Sequence, residues 1–156
     1  MITRAAIERD LVIVTCAISA GIHAALAPDH FAEHAALGAG FALAAALLIA
    51  LAIALTQAVS SAALAGAAAL FGGLLLSYGL AVTIGLPLLH PDPEATDGLA
   101  LVTKGVELVG LGAATHLLGR RHLSVLRFAP IPLGLTALIT IFSALASLAV
   151  SNGHHT

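Results

Sequence analysis

Charged side chains make up only 9% of this 156-residue chain, against about a quarter of an average soluble domain. With 60% hydrophobic residues and a mean hydropathy of +1.06, no water-soluble fold of this length could hide so much apolar surface. Tryptophan is absent, so the aromatic belt common at membrane interfaces is thin and helices must pack through alanine and glycine. Cys16 is the one cysteine; it excludes an intramolecular disulfide and leaves the redox compartment open. Met1 is the one methionine, which excludes a thioether pathway for Cu(I).

What the chain has is long apolar runs. A membrane helix needs about 20 such residues at a rise of about 1.5 Å each. Five runs qualify, at about 11–27, 36–56, 62–88, 98–118 and 133–150. The first follows Arg4 and Arg9 and is expected to stop at Pro28. Residues 35–89 carry no charge and would form a single helix of about 80 Å, far beyond a hydrocarbon core of about 30 Å. They must therefore be two helices, with Thr56, Gln57, Ser60 and Ser61 as the turn. Pro130 and Pro132 precede the fifth run, where their missing N–H groups suit a helix start. The expected fold is all-α, a single domain over 1–156 built as an integral membrane bundle of about five transmembrane helices.

The loops sort by charge. Arg4 and Arg9 lie before the first span, and Arg120, Arg121 and Arg127 between the fourth and fifth. The positive-inside rule then places the N-terminus inside and the C-terminus outside, in a multi-pass protein of the cell membrane. Asp29, Glu33, Asp92, Glu94 and Asp97 fall on the outer face. A competing reading makes residues 1–20 a cleaved signal peptide, with an arginine-containing start, an apolar core and small residues at Ser19 and Ala20.

Histidine follows the same asymmetry. His23, His30, His34, His90, His154 and His155 lie toward the outer face, His116 and His122 toward the inner one. Within residues 23–34, His23, Asp29, His30, Glu33 and His34 bring together imidazole and carboxylate, the donors that divalent Ni, Zn or Cu favours. His30 and His34, four apart, share one face if that segment is helical. Against this, extramembrane loops are polar for ordinary reasons, and scattered histidines lack fixed ligand spacing. Cys16, Ser19, His23 and His30 form a stripe reaching inward from the mouth, although Ser and Cys are also common packing residues between membrane helices. Residues 30–34 match the H-x-x-E-H pattern of inverted zinc peptidases, without a soluble catalytic domain around them.

Span four holds Lys104 and Glu107. A lone charge there costs at least about 2.5–3.5 kcal/mol, so both are expected to face the interior and pair at their i,i+3 spacing. Gly98, Gly105, Gly112 and Gly119 recur every seven residues as a smooth stripe, with Glu107 roughly 160° away around the helix. Two opposed faces thus call for protein neighbours, which makes span four the expected central helix or a contact with a partner. In span five Thr136, Thr140, Ser143 and Ser147 align on one face, as interhelical glue or as the wall of a polar path.

Residues 21–40, then Gly85-Leu86-Pro87 and the acidic loop leading to Lys104 and Glu107, resemble small uncharacterised bacterial multi-span membrane proteins with a histidine, proline, acid-or-histidine, phenylalanine pattern after helix one. That resemblance implies topology. His23 through His30 is also similar to the signature of nickel and cobalt permeases, a histidine followed by four residues and Asp-His, although here five residues precede Asp29. The extra residue turns His23 by about 100° relative to the pair.

Three functions remain in view. One is a metal-handling protein in which a divalent Ni, Zn or Cu ion meets the outer histidines and then Cys16, His23 and Glu107. A second is a non-catalytic subunit or assembly factor that contacts other membrane subunits or itself. The third is a proton-coupled small-solute permease with Glu107 as the titrating group. No nucleophile, base and oxyanion donor can be assembled, so an enzyme is not expected, and the bilayer rather than nucleic acid is the expected environment.

Overall fold

The computed structural model describes residues 3–85, 93 and 95–121. They form four helices, α1 (Arg4–Glu33), α2 (Ala35–Gln57), α3 (Ser61–Ile84) and α4 (Gly98–Arg121), with no strand among the described residues. All four are long and apolar enough to cross a membrane. The expected fifth span at 133–150 lies outside the described residues.

Side chains near the ends set the boundaries. The Thr3 hydroxyl accepts from the Ala6 N–H at 3.3 Å, the Ser60 hydroxyl from Ala63 at 3.0 Å, and the Asp97 carboxylate from Ala100 at 2.6 Å. Each satisfies a backbone donor that a helix N-terminus leaves free. The α2–α3 turn falls at 58–60, inside the Thr56–Ser61 polar cluster that sequence reading chose. Helix α3 ends at Gly85, whose φ of 73° is readily open to glycine.

One boundary differs from expectation. Helix α1 does not stop at Pro28 but runs through it to Glu33, and a single extended residue, His34, joins it to α2. The contacts beyond the proline explain why. Phe31 sits so close to α2 that a Cβ on Gly38 would lie 2.6 Å from the Phe31 Cα, and the His30 ring packs on Phe41 at 4.0 Å. These contacts offset the backbone hydrogen bond that proline removes, a loss membrane helices tolerate. The segment expected as an outer loop at 28–34 is therefore the last turn of α1 and its junction.

Successive helices run antiparallel, as contacts symmetric about each turn show: Phe31 meets Gly38, and Leu51 meets Gly66. Helix α1 packs most extensively on α2 and also on α4; α3 packs on α4, and more sparsely on α2. The interior is built from Val12, Leu48, Leu55, Leu64, Ala67, Phe71, Ala114 and Leu117. Leu11, Val14, Ile53, Leu76, Leu101 and Leu108 face outward, an apolar exterior that suits lipid rather than water. Arg4, Arg9, Arg120 and Arg121 gather at one end of the bundle and Asp29, Glu33 and Asp97 at the other.

The glycine stripe of α4 faces away from the other three described helices. Cβ atoms built on Gly98, Gly105, Gly112 and Gly119 would meet nothing within 4 Å among the described residues. Helix α4 packs instead through Thr103, Glu107, Gly110, Ala113, Ala114 and Leu117, so its described contacts lie on one side and it is not a central helix among the four. Gly38→Val is expected to lower thermal stability in detergent by the 1–3 kcal/mol, about, that overpacking typically costs. Gly40→Val, where nothing among the described residues lies within 4 Å, should cost about as much as helix propensity alone. Equal melting of the two variants would contradict the close α1–α2 approach.

Candidate functional site

At the middle of α4, Glu107 is fully buried. Position 107 stands near the midpoint of Gly98–Arg121 and Ser19 near the midpoint of Arg4–Glu33, so antiparallel packing sets them side by side. The Ser19 hydroxyl donates to Glu107 Oε1 at 3.0 Å, and Lys104 Nζ donates to Oε2 at 2.6 Å. The lysine pair is the i,i+3 salt bridge expected from the sequence. It has the short geometry of a charge-assisted hydrogen bond, and the Lys104 ammonium also stands 5.4 Å from the centre of the Tyr78 ring on α3.

His23, one turn along α1 from Ser19, completes the cluster. Its Nδ1 lies 2.8 Å from the Ser19 backbone carbonyl oxygen. A carbonyl only accepts, so that contact places a proton on Nδ1. In a neutral ring Nε2 then carries a lone pair, and it faces Glu107 Oε1 at 3.8 Å. Two acceptors oppose each other across a gap too long for a direct hydrogen bond. With Glu107 anionic, Lys104 cationic and His23 neutral, the cluster is electrically balanced, and Nε2 is the position open to one more proton.

The other expected metal ligands do not join His23. His30 Nδ1 is 3.3 Å from Glu33 Oε2, in a pair at the end of the bundle. Asp29 is exposed. His34 occupies the α1–α2 junction with an extended backbone, so it does not share a helical face with His30, and its buried Nδ1 has no hydrogen-bond partner among the described residues. Continuation of α1 past Pro28 is the physical reason: His23 and His30 are seven residues, about 10 Å, apart along one helix. Among the described residues no three His, Cys, Asp or Glu side chains are grouped to hold a metal ion. Cys16 is buried, but in the apolar core with Val12, Ala20 and Leu48. His90, Asp92, Glu94, His122, His154 and His155, like the hydroxyl stripe of residues 136–147, lie outside the described residues.

Sequence reasoning missed the Tyr78 contact and a second polar group on the same two helices. Glu8 Oε1 lies 3.0 Å from Arg4 Nε and 3.1 Å from His116 Nδ1, and Oε2 is 3.8 Å from Arg120 Nη1. The available signal was spacing: Glu8, Val12, Thr15, Ser19 and His23 recur at intervals of four, three, four and four, which makes them one face of α1.

Removing one partner from a buried ion pair is far more damaging than removing both, typically by about 3–5 kcal/mol. Lys104→Met should therefore lower thermal stability strongly, and Glu107→Gln added to it should recover much of the loss. A double-mutant cycle in detergent measures the coupling, and additive losses would count against the pair. No family model, curated protein or solved structure matches the chain, so the chemistry of this cluster rests on its own geometry.

Proposed function

We propose that this chain is a multi-pass membrane protein that works as a proton-coupled permease for a small solute, with His23 and Glu107 as the proton-binding pair. The observation that carries the reading is the lone pair of His23 Nε2 facing Glu107 Oε1 across 3.8 Å at mid-depth of the α1–α4 seam. Ionisable groups inside membrane helices are costly and mark ion or proton pathways, and a histidine changes charge near neutral pH. In this reading the arginine-bearing end faces the cytoplasm, as the positive-inside rule expects. The protein acts as a carrier rather than an enzyme, and a proton rather than a divalent metal is the ion bound.

A second reading has its own observation. The glycine face of α4, which meets none of the other described residues, suits close approach by another membrane helix, and a subunit of a larger complex would use it. Intact co-purification of a partner in mild detergent favours that role.

Proteoliposomes carrying a trapped pH dye test the first reading. Under an imposed negative-inside potential, the wild-type protein should acidify the lumen faster than protein-free vesicles, and Glu107→Gln should return the rate to that of the lipid alone. Acidification by Glu107→Gln at the wild-type rate, or none by the wild type, would sink it.

A further inference from the structure

We propose that Glu8 and His116 form a second proton-binding station at the arginine-bearing end of the same seam, exchanging protons with water and relaying them to His23 and Glu107. This inference rests on the proton-coupling reading and adds the residues through which the proton enters or leaves.

The two stations share two helices. Glu8 and Ser19 stand on one face of α1, eleven residues apart, about 16 Å along the axis. Their partners on α4, His116 and Glu107, are nine residues apart in the opposite direction. Among the described residues, the ionisable groups facing Glu8 come from this seam: Arg4 on α1, and His116 and Arg120 on α4. The neighbouring Arg9 and Asp10 pair with each other at 2.7 Å. Helix α2 contains no ionisable side chain, and α3 only Tyr78.

His116 adds an α1–α4 contact that neutralising Glu8 does not require. Two guanidinium groups already neutralise the single Glu8 carboxylate, yet an imidazole also stands 3.1 Å from its Oε1. The Glu8 side chain is only 13% exposed and that of His116 49%, so the ring spans the boundary between the seam and water. That is the placement of a proton shuttle. In the transfer, water delivers a proton to His116 Nε2 and the Nδ1 proton passes to Glu8 Oε1. A neutral carboxylic acid and a neutral imidazole of the other tautomer result, and the positive charge taken from water is cancelled on Glu8.

Between the stations the seam is apolar and closely packed. Val12, Phe71, Ala114 and Leu117 are buried there. The Thr15 hydroxyl is occupied, donating to the Leu11 and Val12 carbonyls at 2.9 and 3.0 Å. At Gly110 three helices converge: a Cβ would lie 2.6 Å from Thr15 Oγ1 and 2.5 Å from Phe71 Cε2. A proton at Glu8 therefore passes on only when this section opens.

The potential-driven acidification assay tests the second station, with the full chain in proteoliposomes. His116→Gln, at a half-exposed position, should slow acidification at least about a hundredfold, the low end of what a positioned acid–base group contributes. Free imidazole added to the bath should restore the rate. Glu8→Gln, which keeps the side-chain shape, should slow it equally and resist imidazole. Wild-type rates in His116→Gln and Glu8→Gln beside a blocked Glu107→Gln would overturn the second station and leave the proton-coupling reading standing. A slowed His116→Gln that imidazole does not restore would also overturn it, since a purely structural loss is not repaired by a soluble base. A wild-type rate in Glu107→Gln would instead fail the reading on which this inference rests.

Discussion

A carboxylate with no access to water, halfway along a helix otherwise made to face lipid, has to be answered by its neighbours. Glu107 is that group; two side chains answer it and a third stands opposite. Lys104 neutralises the charge from one turn away on the same helix. Ser19 supplies a directed hydrogen bond from α1, and His23, held through its Nδ1 by the Ser19 carbonyl, closes the remaining side. Because hydrocarbon offers no alternative partner, separating α1 from α4 would strand the charge. The polar cluster thereby sets how these two helices sit against each other, in a bundle whose apolar interior is mostly alanine and leucine and specifies rotation only loosely.

The small residues of the seam follow from the same demand. The Ser19 hydroxyl can reach Glu107 at 3.0 Å only if the backbones come close, and Ala20, Gly110, Ala113 and Ala114, all buried, leave the room. Gly110 is the tightest point, where Thr15 and Phe71 occupy the space a side chain would need. Helices that lipid does not drive together associate through such packing and through interhelical hydrogen bonds, and in this seam the two occur at adjacent turns.

Much of this was legible in the residues. Uncharged runs located α2 and α3 and the turn between them, because a charge-free stretch of that length cannot cross once. The Lys104–Glu107 pair was legible from its spacing alone. The rest depended on tertiary partners. Proline at 28 reads as a helix end when only local cost is weighed, and it was the packing of Phe31 on Gly38 that carried α1 onward. A heptad of glycines reads as a helix contact, yet small residues occur on lipid-facing and packed sides alike, and only Gly110 marks the described interface. Ser19 and Glu107 are 88 residues apart, and no local pattern announces such a pairing. His23 was grouped with the outer histidines because its neighbours in sequence are polar, whereas its neighbour in space is a buried carboxylate.

Charge balance also bears on why a proton arriving at this cluster would be coupled to something else. As arranged, Glu107, Lys104 and a neutral His23 sum to zero. One further proton on Nε2 leaves a net positive charge in a low-dielectric interior, a state penalised unless another charge moves or enters. Lys104 is the group placed to respond: its side chain is 17% exposed where Glu107 has no exposure, its stem is flexible, and the Tyr78 ring offers its ammonium a second resting contact. Displacing that ammonium from Glu107 lets the carboxylate turn its charge to the protonated imidazole. Under the proposed proton coupling, proton binding and lysine movement would be two halves of one electrostatic exchange.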